Sequence, residues 1–252
     1  MKPGTDEGLR ETKLSIVIPA YNEALRIGKT LDSIRDYMKV CGYSHEIIVV
    51  DDGSSDDTAM VVRKAAEKHP AIVLLQNGMN RGKGYSVKQG VLFSRGRFVL
   101  MSDADLSTPI AELGKLFKEL EEGNDIAIGS RSVSGSMVLK RQKWFRQLMG
   151  KTFNKLVQAI AVFGIRDTQC GFKLFTADAA RSVFSLQRIE RFAFDVEALY
   201  LARKMDFGIR EVPVIWVNSP DSRVSIFRDS LQMLRDLFRI RFYHYRPERG
   251  KS

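Results

Sequence analysis

Two aspartates one residue apart, Asp103 and Asp105, follow the apolar run Phe98 to Met101 in "RFVLMSDADLSTP". In an extended chain, residues two apart face the same side, so at a strand end both carboxylates can turn toward one point. Carboxylates drawn out of water are costly unless something positive meets them. Hard oxygen donors of this kind suit Mg²⁺ or Mn²⁺, an ion that completes its shell with phosphate oxygens and water. The same two residues also suit solvated loop acids, or a cap for a helix beginning near Pro109. A lone pair with this spacing is common by chance. Its place after a buried strand, with acids at neighbouring strand ends, favours the metal.

The second acidic stretch is "DDGSSDDT", Asp51 to Thr58, after another apolar run. Ser55 to Asp57 read as a turn leading into a helix, and Asp52 can accept a hydrogen bond from a nucleobase N–H. "NRGKG", Asn80 to Gly84, sets Lys83 between glycines at a helix start. That suits an anion as well as it suits a plain loop, and it matches no established phosphate-loop spacing. Asp195 and Glu197 in "FAFDVE" stand where a helix begins. They fit a position near a substrate or the simple preference of helix N-termini for acids. Cys170 has no activating base in sequence, so a buried small residue is its reading. His45, His69 and His244 fall in no promising motif.

Elements that could hold these groups alternate along the chain. Strands are expected at Leu14 to Ile18 (stopped by Pro19), Glu46 to Val50, and within "AIVLLQN", "RFVLM" and "DIAIGSR". Helices are expected at Leu25 to Val40, Thr58 to His69, Gly84 to Ser94 and Ile110 to Glu122. Continuously apolar strands alternating with helices predict a mostly parallel α/β sheet covered on both faces. Ligands then bind beyond the carboxyl ends of the strands, which is where the acids stand. Past Arg131 follow a basic helical stretch, "DTQCGFKLF" as loop and strand, and a helix near Ala177 to Phe184. An amphipathic helix over "FAFDVEALYLARKM", a last strand "IREVPVIWV" and an amphipathic tail helix complete the chain.

The 252 residues carry a formal net charge of +10, which points to a polyanionic partner. Two cysteines in no metal or disulfide pattern fit a reducing compartment. The polar start "MKPGTDEGLRETK" shows no signal region, and no apolar run reaches the roughly 18 to 20 residues of a membrane span. Residues 140 to 155 hold six Lys or Arg and no acid, among them Lys140, Arg141 and Lys143. The tail over 221 to 252 adds eight basic against four acidic residues, with Phe238, Phe242, Tyr243 and Tyr245. These stretches read either as solvated helix faces or as interfacial helices on an anionic bilayer, and their aromatic residues favour the bilayer.

Eight segments in order carry a resemblance: "IVIPAYNE", "IIVVDDGSSDDT", "NRGKGYSVKQG", "SDADLSTP", "GSR", "DTQCGFKLF", "FAFDVEALYLA" and "EVPVIWV". The chain resembles the family 2 glycosyltransferases of the GT-A, Rossmann-like fold from Leu14 to about Tyr245. Within them it is most similar to the group of dolichyl-phosphate β-glucosyltransferases and polyprenyl-phosphate mannose synthases. The resemblance implies an inverting, metal-dependent transfer of a hexose from a UDP- or GDP-linked donor to a polyprenyl phosphate. Glucose from UDP-glucose is favoured, because Ser107 stands where mannose synthases often carry a further metal-binding Gln.

Carried onto matching positions, the resemblance puts Pro19, Tyr21, Glu23 and Asp52 against the nucleoside. Asp103, Ala104 and Asp105 then lie along the ribose and diphosphate, with Asp105 the most direct ligand of Mg²⁺ or Mn²⁺. Lys83, Arg131 and Arg223 face phosphate or sugar, Arg223 standing where glucosyltransferases of the group show Lys. Asp105, Arg131 and Asp195 form the expected catalytic set, and Lys140, Arg141 and Lys143 meet the acceptor phosphate or the membrane. The expected organisation is a flexible N-terminus over 1–12, a GT-A domain over 13–218 and a basic amphipathic C-terminal helix and tail over 219–252. A cytoplasmic protein resting peripherally on a membrane follows. Three alternatives compete with this reading. A GT-A enzyme with a soluble acceptor stays open. A sugar-phosphate nucleotidyltransferase would show a Gly-rich basic loop where "PAYNE" stands, and a nucleic-acid binder fits poorly with acids at strand ends.

Overall fold

A computed structural model of the protein describes residues 12–139, 157–158, 161–217 and 226–243. Seven strands form one sheet in the order β3-β2-β1-β4-β7-β5-β8. They are β1 (Leu14–Ala20), β2 (His45–Asp51), β3 (Ile72–Gln76), β4 (Phe98–Ser102), β5 (Ile126–Ser130), β7 (Phe172–Thr176) and β8 (Ile209–Pro213). All pair in parallel except β7, which runs antiparallel to both β4 and β5. The two short strands β6 (Met137–Val138) and β9 (Ile215–Trp216) form a separate ribbon. The single expected last strand is thus two strands, divided at Val214.

Both faces of the sheet are covered, and β1 shows why its sequence is apolar at every position but Ser15. Ile16 and Ile18 enter one core cluster, while Val17 between them enters the other. The first cluster is built with α1 (Ile27–Cys41), α2 (Thr58–Lys68) and α4 (Leu113–Glu121), the last preceded by a 3₁₀ turn at Ile110–Glu112. The second is built with α3 (Lys83–Phe93), α5 (Ala177–Leu186), α6 (Phe194–Lys204) and α7 (Ile226–Phe242). Met233, Leu237 and Ile240 of α7 are buried in it at helical spacing, whereas Phe238 and Phe242 are exposed.

Two expectations need correction. Strand β1 does not stop at Pro19 but continues to Ala20. Its pairing with β4 ends at Val17, while pairing with β2 continues to Ala20, whose carbonyl accepts from Asp52 N at 2.8 Å. Alternate residues point to opposite edges, so the nitrogen of Pro19 faces the side where no ladder remains. Helix α6 is not amphipathic: every residue from Phe194 to Ala202 is buried. It packs against α5 and α7, so even its acids, Asp195 and Glu197, are enclosed.

Chain order reverses between β1 and β4. From β1 the chain moves outward through β2 and β3, then returns to place β4 on the other side of β1. Such a reversal opens a crevice beyond the carboxyl ends of those two strands. The antiparallel β7 begins there too, since Phe172 pairs with Ser102.

Candidate active site

The "PAYNE" turn after β1 and the "DDGSSDDT" turn after β2 are sewn together. Asn22 adopts a left-handed φ of 55°, and its side-chain oxygen accepts from Ser55 N at 2.8 Å. Glu23 N donates to Thr58 Oγ1 at 2.7 Å, and the Glu23 carboxylate pairs with Arg26. Tyr21, at the lip of the crevice, is 39% exposed and so available to stack on a ligand ring. Asp52 is buried. Its Oδ1 accepts from Asn77 Nδ2 at 2.8 Å and Arg81 N at 2.9 Å, and its Oδ2 accepts from Gly82 N at 2.8 Å. Asp52 therefore fixes the loop that delivers Lys83. Gly82 has φ 108°, and a side chain there would strike the Glu190 carbonyl, so only glycine lets this loop pass.

The Asp103–Asp105 turn is equally pinned. Thr30 Oγ1 donates to the Ala104 carbonyl at 2.6 Å, and Ser107 N donates to Asp105 Oδ1 at 2.9 Å. Leu106 is held at φ 46°, a conformation unfavourable for a branched side chain and characteristic of functional turns. A Cβ at Gly171 would overlap the Asp103 carboxylate, so the start of β7 is shaped around that group.

The positive partner of these acids is Lys83. Its Nζ lies 2.6 Å from Asp103 Oδ1. Burial pulls the Lys83 pKa down, but the charges of Asp103, Asp195 and Asp105 and the Asp103 hydrogen bond outweigh it and hold the pKa above the lysine range. Asp195 itself is buried and paired with Lys173, whose Nζ also donates to the Cys170 carbonyl at 2.6 Å.

Arg131 follows β5 and is locked in place. Its Nε and Nη2 donate to Asp167 at 2.7 and 2.8 Å, its backbone N donates to Asp167 Oδ2 at 2.8 Å, and its guanidinium lies 5.3 Å from the Trp216 ring. Burial pushes the Asp167 carboxyl up, and the charge and hydrogen bonds of Arg131 pull it below the usual range. Glu211 in turn holds the Asp167 loop by accepting from Arg166 N at 2.8 Å and Asp167 N at 2.9 Å.

The fold thus gathers Asp103, Ala104, Asp105, Lys83, Arg131 and Asp195 at one crevice, with Pro19, Tyr21, Glu23 and Asp52 on its β1–β2 side. Lys140, Arg141, Lys143 and Arg223 lie outside the described residues. Glu197 closes a loop by accepting from Arg188 N at 2.9 Å and Ile189 N at 2.7 Å. Cys170 is buried, and burial followed by the Asp167 charge pushes its thiol up to about 11, which leaves no thiolate for attack. Asp167, Gly171, Lys173 and Trp216 escaped assignment from sequence. The one signal was a lysine inside the apolar run "GFKLF", a position a buried strand tolerates only with a partner.

Among the described residues no group of three or more His, Cys, Asp or Glu is placed to hold a metal. The Asp103–Asp105 pair still fits an ion that takes its other ligands from a diphosphate and water. Both carboxylates are fixed in position, and the donor set is all oxygen.

Comparison with known proteins decides the family. The family described as "Glycosyl transferase family 2" matches residues 15–184. The chain belongs to glycosyl transferase family 2. This glycosyltransferase is 44% identical to a dolichyl-phosphate β-glucosyltransferase of Dictyostelium discoideum over 242 residues, covering 91% of this chain and 74% of the relative. It is 40% identical to that of Mus musculus, covering 91% of this chain and 75% of the relative. Among solved structures it is similar to glucosyl-3-phosphoglycerate synthase from Mycobacterium tuberculosis in complex with Mn²⁺, UDP and glucosyl-3-phosphoglycerate. The TM-score is 0.69 and the identity 18%, over 96% of this chain and 86% of that one. The shared fold is the GT-A fold.

Proposed function

We propose that this enzyme transfers glucose from UDP-glucose to a dolichyl-type polyprenyl phosphate with inversion at the anomeric carbon. The observation that carries the reading is the likeness to dolichyl-phosphate β-glucosyltransferases over 91% of the chain, at 40% and 44% identity. The crevice supports it. Tyr21 offers a ring at the nucleoside end, while Asp52 sets the loop bearing Lys83 beside the diphosphate position. Asp103 and Asp105 would hold Mg²⁺ or Mn²⁺, which neutralises negative charge growing on the leaving diphosphate. Arg131, oriented by Asp167 and Trp216, presents a fixed cation to a phosphate or the sugar. The acceptor phosphate is already an anionic nucleophile, so no strong general base is required. Asp195, compensated by Lys173, shapes the sugar end through its charge and position.

A thermal-shift comparison tests the donor. UDP with Mn²⁺ is expected to raise the melting temperature, because a ligand bound only by the folded state stabilises it. Stabilisation by GDP alone would overturn the assignment to UDP-glucose.

The acceptor implies a membrane surface, and the proposed setting is cytoplasmic and peripheral. Among the described residues no helix is long and apolar enough to cross a membrane. Met137, Val138 and Leu139 stand exposed on the β6–β9 ribbon and lead directly into the basic run of 140 to 155. Apolar and basic groups together suit an anionic bilayer, each Lys or Arg contributing about 1 kcal/mol near the surface. The protein is expected to sediment with anionic liposomes at low salt and to be released by high salt. Neutralising Lys140, Arg141 and Lys143 together should weaken transfer to lipid phosphate more than UDP binding. Loss of UDP binding instead would place them in the nucleotide site.

A further inference from the structure

The crevice assigned to a divalent ion already holds a cation. Lys83 Nζ sits 2.6 Å from Asp103 Oδ1, with the lysine side chain 22% and the aspartate side chain 35% exposed. An ammonium at that oxygen and a divalent ion on the same carboxylate repel each other and compete for its lone pairs. The two cannot both sit at full strength on Asp103.

Which of them gives way follows from how each side is anchored. The Lys83 backbone is fixed, because Asp52 accepts from Arg81 N and Gly82 N, and Tyr85 N donates to the Glu190 carbonyl at 3.0 Å. Asp103 is confined by Gly171 on one side and by the pinned Ala104–Asp105 turn on the other. The mobile part is the four-carbon lysine stem, whose rotatable bonds let its charge swing while the loop stays put. Phe194, whose ring centroid is 5.8 Å from Nζ, offers an apolar wall along which the stem can move.

We propose that Lys83 is a built-in counterion of the metal site, which neutralises Asp103 while the donor is absent and transfers its ammonium to the donor's diphosphate when ion and nucleotide arrive together. The proposal rests on the assignment of Asp103 and Asp105 to a divalent ion. Two consequences follow. Free metal binds weakly, because it must first displace the ammonium. Metal and nucleotide diphosphate strengthen each other, because the diphosphate gives the displaced ammonium a new partner. If the Lys83–Asp103 contact is closed about nine-tenths of the time, the apparent affinity for free metal falls about tenfold.

The test is a Mn²⁺ titration of the full chain followed by electron paramagnetic resonance, with and without UDP. Lys83→Met and Lys83→Gln are compared with wild type, with circular dichroism to show which variants fold. Either folded variant is expected to bind Mn²⁺ alone about tenfold more tightly, equivalent to about 1.4 kcal/mol. Either is also expected to lose most of the gain in Mn²⁺ affinity that UDP confers on wild type. Lys83→Arg, which keeps a cation beside Asp103, should retain weak binding of free Mn²⁺. Unchanged or weaker Mn²⁺ binding in both neutral variants, with Asp105→Asn still abolishing it, overturns the counterion role and leaves the metal assignment standing. Wild-type Mn²⁺ binding by Asp105→Asn overturns the metal assignment, and the counterion role with it.

Discussion

Asp105→Asn is expected to lower sugar transfer by about two to three orders of magnitude, the usual scale for removing one electrostatic contributor to a developing charge. The fold should survive. Asp105 sits in a turn, and asparagine keeps an oxygen for the Ser107 N–H, now 2.9 Å from Asp105 Oδ1. What would be lost is half of the anionic donor set proposed for the metal, and an amide oxygen is a poorer ligand for a hard divalent ion. Excess EDTA should have a comparable effect on the wild-type enzyme. Full activity of the variant, or of the wild type in EDTA, would remove the carboxylate pair from the chemistry.

Lys173→Met carries the largest expected loss of stability, about 3 to 5 kcal/mol, because it leaves a buried carboxylate without its counter-charge. Side-chain exposure is 1% for Lys173 and 5% for Asp195, so water cannot replace the missing partner. The Cys170 carbonyl loses its donor as well. The N-terminal end of α6 favours a negative charge at Asp195 but offsets only part of this. Urea unfolding measures the difference. In the double variant Lys173→Met with Asp195→Leu, much of the stability should return, since replacing both partners by apolar groups is often near neutral. If Lys173→Met alone unfolds like the wild type, the pair is not the buried charge couple described.

The parallel sheet was legible because burial on both faces leaves a direct mark. Ile16, Val17 and Ile18 are all apolar since each enters a core. The antiparallel β7 left no such mark. "FKLF" reads the same whichever way it runs, so composition does not give its direction. Strand ends were legible for a related reason. Asp51, Asp103 and Asp105 interrupt runs that otherwise exclude charge, so they announce where the sheet stops and the crevice begins.

The partners of those acids were harder to see. Arg131 stood out in "GSR", but Asp167 lies 36 residues away and meets it only because β7 runs back beside β5. Lys83 could be read as an anion-binding loop residue, yet nothing local says that its nearest anion is Asp103, 20 residues on. Asp52 invites a ligand role in sequence, and its three backbone and side-chain donors become visible only once the Asn80–Gly82 loop folds over it. Helix α6 looked amphipathic because its Asp, Glu, Arg and Lys recur among apolar residues. Its acids are nonetheless enclosed, one by Lys173 and the other by two backbone N–H groups.

The most direct measurement offers the enzyme UDP-[¹⁴C]glucose and, in parallel, GDP-[¹⁴C]mannose, with Mg²⁺ and either dolichyl phosphate or 3-phosphoglycerate. Glucose transfer to a lipid phosphate predicts label from UDP-glucose in the organic phase with dolichyl phosphate, none when the lipid is omitted, and about two to three orders of magnitude less with Asp105→Asn. Label moving to water-soluble phosphoglycerate, or to the lipid from GDP-mannose alone, would contradict it.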